Sequence, residues 1–138
     1  MLGSKTEVRM PQKQLVIGYC ALRAAYAVGL LAAPRRVASP WLGDLSEASS
    51  LIAVRGLGIR DLALCIGATV ATASDAPATS WLALCTVSDA VDLAATVLTH
   101  SHELPPRSRA GTVLAAGSFG LAAAGLAQRQ RNAAWHLG

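Results

Sequence analysis

Six ionisable side chains, Arg23, Arg55, Arg60, Asp61, Asp89 and Asp92, stand in the middle of stretches that are otherwise apolar enough to cross a bilayer. Insertion scales put a central Arg or Asp in a membrane helix at about 2.5–3.5 kcal/mol each, so these charges must serve one another or a ligand. Asp89 and Asp92 are the acid/base candidates, with Asp61 as a third carboxylate of the same cluster. Two carboxylates one turn apart in low dielectric resist joint ionisation, which lets one keep a proton to give to an alkene, epoxide or carbonyl. The substrate-binding candidates are Arg23, Arg60, Tyr26, Tyr19 and Arg55. The planar fork of Arg60 or Arg23 suits a carboxylate or an anionic substrate group, and Tyr26 would orient the reacting atom. Arg55 points away from the others along its helix and can instead snorkel to the membrane interface.

Helical spacing decides which of these groups can meet. Cys85, Asp89, Asp92 and Thr96 follow i, i+4, i+7, i+11 and line one face; Tyr19, Arg23 and Tyr26 make a second polar stripe. Arg60 shares a face with Gly56, Ala63 and Gly67, which leave room around it, and suits bidentate pairing with Asp89 or Asp92. Asp61 lies about 100° further round, towards Arg23. The second and third apolar segments are joined by a few residues and therefore run antiparallel. Residues whose numbers sum to about 150 then share a depth: Arg60 and Asp61 are level with Asp89, and Arg55 lies nearer Asp92 and Thr96. With Arg23 at the middle of the first segment, three arginines and three aspartates are expected to cancel within a thin central slab.

The elements that must hold this slab are four apolar segments, residues 14–34, 49–72, 79–100 and 110–128, each near the ~20 residues a spanning helix needs. The chain has 138 residues, 53% hydrophobic and 14% charged, with mean hydropathy +0.42, against about 25% charged in a soluble domain. The expected fold is all-α: one domain, an integral membrane four-helix bundle running up-down-up-down in the cell membrane. A soluble Ala-rich bundle is the alternative, but its helices would show a charged outer face. The first segment is longer than a signal-peptide core of roughly 7–15 residues and reads as a retained helix. Five basic residues (Lys5, Arg9, Lys13, Arg129, Arg131) fall on the side of the termini and four (Arg35, Arg36, Arg107, Arg109) on the other, so positive-inside counting places both termini in the cytoplasm. The net charge of +4 lies mostly in tails and loops, with no aromatic-interleaved basic patch, which argues against nucleic acid as a partner.

Small residues recur every fourth position at Ala21, Ala25, Gly29 and Ala33, at Ala63, Gly67 and Ala71, and at Ala116, Gly120 and Ala124. Such stripes let helix backbones approach closely in lipid. The fourth segment carries no charge between Ala110 and Gln128, so it faces lipid, packs within the chain or meets a second copy. Trp41, Trp81 and Trp135 stand near helix ends as interface anchors. Cys20, Cys65 and Cys85 read as buried inert thiols. His100, His102 and Glu103 superficially resemble a metal patch but lack a fourth ligand, so no metal is expected. Nucleophile elbows, phosphate loops and haem-ligand pairs are absent, and no cofactor is expected.

With these residues in place, the chain resembles small four-helix membrane proteins of actinobacteria, the uncharacterised group termed DUF4267-like. The resemblance rests on Arg23, Pro34 and Trp41-Leu42-Gly43, on Arg55-Gly56-Leu57-Gly58-Ile59-Arg60-Asp61-Leu62-Ala63-Leu64, and on Asp89-Ala90-Val91-Asp92. It implies the membrane topology and the choice of central residues, and it implies no reaction. Where that pattern places Gly after the Arg-Asp-Leu-Ala-Leu run, this chain has Cys65.

Three function classes fit these residues. The first is a membrane-embedded binding protein or enzyme acting on a lipophilic small molecule at the Arg/Asp cluster. A second is a small proton or ion transporter, although its polar groups would have to extend through the full depth. The third is a structural or accessory subunit, a homodimer or the companion of a larger membrane partner, in which buried ion pairs only set helix order.

Overall fold

The computed structural model describes residues 4–99 and 106–135. Among them the chain forms five helices and no strand: α1 (Ser4–Ala32), α2 (Pro34–Leu42), α3 (Ala48–Ala73), α4 (Thr79–Leu98) and α5 (Pro106–Trp135). His100, His102 and Glu103, the superficial metal patch, lie outside the described residues.

The four apolar segments leave residues 35–48 as a connector, and α2 is an additional helix there, opening on Pro34 and ending at Gly43. The proline signal has two meanings. Pro34 disfavours helical backbone at Ala33, which ends α1 there (φ −139°, ψ 58°), and it then serves as the first residue of a new helix, where a missing N–H costs nothing. Gly43 stops α2 with φ 84°, ψ −140°, a conformation that side chains rarely adopt. Pro34 and Ala38 are buried, and Leu30, Ala38, Leu45 and Val54 form a small core beneath α2.

α1 packs most closely on α3, and α4 on α5; the α3–α4 hairpin joins the two pairs into a bundle. The turn between α3 and α4 includes Asp75 with φ 59°, and Lys13 of α1 lies 2.6 Å from its carboxylate. Close approach of α1 and α3 centres on Gly58: a Cβ there would stand 2.9 Å from the Ala27 carbonyl oxygen. Between α4 and α5 the same role falls to Gly120, whose missing side chain leaves room for Asp89.

The small-residue stripe expected to pack α1 does so only at its end, where Gly29 meets Val37 of α2 and Ala33 is half-buried. Ala21 and Ala25 are exposed, while Val16, Cys20, Arg23, Ala27 and Leu30 make the buried face. On α3 the buried line is Val54, Gly58, Asp61, Cys65, Ala68 and Thr72, with Gly56 and Ala63 outside. The stripe on α5 does pack, through the buried Gly120 and the half-buried Ala116 and Ala124.

Polarity is inverted relative to a water-soluble bundle. Arg23, Asp61 and Asp89 are buried, whereas Leu22, Ile52, Ile59, Ile66, Val87, Leu98, Leu114 and Leu121 face outward, Leu121 with 77% of its surface exposed. Two helical stretches, Gln12–Ala32 and Thr79–Leu98, are long and apolar enough to cross a membrane.

Candidate functional site

Arg23 is the hub. It is 1% exposed, placed on the buried face of α1 by the spacing that also buries Cys20 and Ala27. Its Nη1 and Nη2 each donate to one oxygen of Asp89 on α4, both at 2.7 Å. Nη2 also donates to Asp61 Oδ1 on α3 at 3.0 Å, and Nη1 to the Tyr19 hydroxyl one turn earlier at 3.0 Å. A second fork follows. Arg60 Nη1 and Nη2 reach the two oxygens of Asp92 at 2.9 and 2.7 Å, while its Nε and Nη2 share Asp61 Oδ1 at 3.2 and 3.0 Å.

The result is one continuous chain of charge, Asp89–Arg23–Asp61–Arg60–Asp92, drawn from three helices. Forked guanidinium–carboxylate pairs are the strongest and most orientation-specific ion pairs available to side chains. Asp61 Oδ1 accepts from both arginines and so holds two like charges side by side. The outer link is less enclosed: the side chains of Arg60 and Asp92 are 33% and 27% exposed, against 2% and 7% for Arg23 and Asp89.

The expected pairing of Arg60 therefore falls on Asp92, and Asp89 belongs to Arg23. Asp61 lies beside Arg23, as its angle on the helix suggested. Arg55 takes no part in the cluster. It is exposed and borders a separate cleft with Pro34, Arg35 and Arg36 at the α1–α2 turn. The cluster consequently joins two arginines and three aspartates, and the expected cancellation of charge does not occur.

Beside the cluster lies a cavity of about 530 Å³. Arg23, Asp61, Asp89 and Asp92 form its polar wall together with Thr96, and Tyr26, Trp41, Val54, Leu57 and Phe119 form much of the apolar one. Thr96 Oγ1 turns back to donate to the Asp92 backbone carbonyl at 2.8 Å.

Two wall residues escaped the sequence reading as site residues. Phe119, the single Phe of the chain, stands with its ring centroid 5.6 Å from the Arg23 guanidinium carbon and packs edge-on against Tyr19 at 6.1 Å. A lone aromatic in an Ala/Gly-rich helix was the available signal. Trp41, expected as an interface anchor, is drawn into the cavity wall by α2, and its buried indole Nε1 has no hydrogen-bond partner among the described residues. Trp81 lies half outside, against Gly67.

Both oxygens of Asp89 and of Asp92 are occupied by arginine forks. Asp61 differs: Oδ1 accepts three hydrogen bonds and Oδ2 none from the described residues. The three thiols, Cys20, Cys65 and Cys85, are buried and free. No family model, curated protein or solved structure matches this chain.

Proposed function

We propose that the protein is a multi-pass membrane protein that binds a lipophilic small molecule in the cavity beside the Arg/Asp chain. In this reading α1, α3, α4 and α5 are the four spanning helices, both termini are cytoplasmic, and α2 lies over the mouth of the cavity with Trp41. The carrying observation is the cavity itself. A charge chain that served only to order helices would be packed against side chains, whereas this one forms one wall of about 530 Å³ whose remaining walls are largely apolar and aromatic. The outward Leu, Ile and Val residues support lipid as the surroundings.

Binding fits the geometry better than acid/base turnover by Asp89 and Asp92. A carboxylic acid has only one bare acceptor oxygen, so either residue would break half of its arginine fork to carry a proton. Any proton-transfer role falls more naturally to Asp61, through Oδ2.

The test is native mass spectrometry of protein purified from membranes in a mild detergent. Wild type should carry a small-molecule adduct that Ala116→Phe, which fills the cavity from α5, loses while keeping its helicity. An identical spectrum for both proteins would refute the proposal.

A further inference from the structure

We infer that the cavity is selective for a lipophilic organic cation, an amine or quaternary ammonium on an apolar body. This rests on the binding reading above and adds the charge class of the ligand.

The cluster joins two guanidiniums to three carboxylates, so with all three ionised it carries one surplus negative charge. Of the other ionisable side chains bordering the cavity, Tyr26 is a neutral phenol and Asp44 is exposed at the mouth, where its oxygens accept from the Ser46 backbone N–H and hydroxyl. Among the described residues no further cation borders the space. A carboxylate uncompensated in low dielectric takes up a counter-charge, a proton on its free oxygen or a bound cation that displaces that proton, because Coulombic attraction there is little screened.

The surplus has an address. The Asp61 side chain is 7% exposed, its Oδ1 is saturated by Arg23 and Arg60, and its Oδ2 is the carboxylate oxygen of the cluster without a donor among the described residues. Asp61 also borders the cavity. An ammonium group entering there meets an oxygen that no arginine holds.

The other walls suit the same ligand. Tyr26, Trp41 and Phe119 border the cavity from α1, α2 and α5, and aromatic faces attract cations, alkylammonium ions in particular. An anion would instead face three carboxylates, and of the Arg23 nitrogens only Nε is without a partner among the described residues.

Three probes of nearly one shape separate charge from shape: benzyltrimethylammonium, its neutral carbon isostere neopentylbenzene, and benzylsulfonate. Binding to protein in lipid nanodiscs is measured by equilibrium dialysis, corrected with empty nanodiscs. Wild type should hold the cation at least about tenfold tighter than either relative. Asp61→Asn keeps an oxygen for the arginines and removes the surplus charge, so the preference for cation over isostere should fall below about twofold while the isostere still binds. Equal or tighter binding of the neutral or anionic probe by wild type overturns the charge assignment and leaves the cavity reading standing. Failure of all three to bind overturns both. If Asp61→Asn does not fold, the wild-type ranking alone decides.

Discussion

Arg23 is the hub of the cluster, because its removal strands the buried Asp89 carboxylate and leaves Asp61 to Arg60 alone. Breaking a buried pair by deleting one partner typically costs about 3–5 kcal/mol. Arg23→Met should therefore lower stability by roughly that amount in a denaturant titration of helicity in detergent. Arg23→Lys should recover less than half of it, since one ammonium cannot serve both Asp89 oxygens and Asp61 at once. Asp92→Asn is expected to cost about 1 kcal/mol or less, because the side chains of Arg60 and Asp92 are partly exposed. That the α3–α4 hairpin brings Arg60, Asp61, Asp89 and Asp92 together was legible in the sequence, because a short loop fixes depth; which aspartate Arg60 takes was not, since depth set it level with Asp89 and it pairs with Asp92. The Arg23–Asp89 fork was not, because α1 and α4 are not consecutive and no loop sets their relative height. Phe119 was missed for the same reason.

At the scale of elements, single glycines decide how closely the helices approach, and a small-residue stripe matters where it contains one of them, as at Gly120 on α5. Gly58 meets backbone of α1 that cannot move aside, so Gly58→Ala should destabilise by about 1–3 kcal/mol, whereas Gly56→Ala, with open space around its Cα, should be neutral or better for helicity. Thermal unfolding of both variants in one detergent checks the contrast. Gly43→Ala should cost about 1–3 kcal/mol by straining the end of α2 and should displace Trp41 from the cavity wall, shifting its fluorescence. The sequence named four long segments correctly as helical. It did not yield α2, because Pro and Gly punctuate short helices as readily as loops, nor the buried face of α1, because Ala at four-residue spacing is as compatible with lipid as with a helix neighbour.

At the scale of the whole molecule, the inverted polarity is the organising fact: charge inside, branched aliphatic side chains outside. Composition made this legible, since a chain with so few charges spends several of them in its most apolar stretches. What composition could not convey was stoichiometry. Arg55 looks equivalent to Arg23 and Arg60 in sequence, yet it faces outward near Arg35 and Arg36, and its absence leaves three aspartates against two arginines in the cluster, the imbalance on which the proposed cation preference rests. The account depends on lipid surrounding the level at which the charges meet. Nitroxide labels at Ile59→Cys and Val87→Cys, outward neighbours of Arg60 and Asp89, in a background with Cys20, Cys65 and Cys85 changed to Ala, report this by power-saturation EPR in bilayers. Strong relaxation by oxygen with little by a water-soluble nickel chelate is the predicted result; ready access of the chelate at both positions would contradict it.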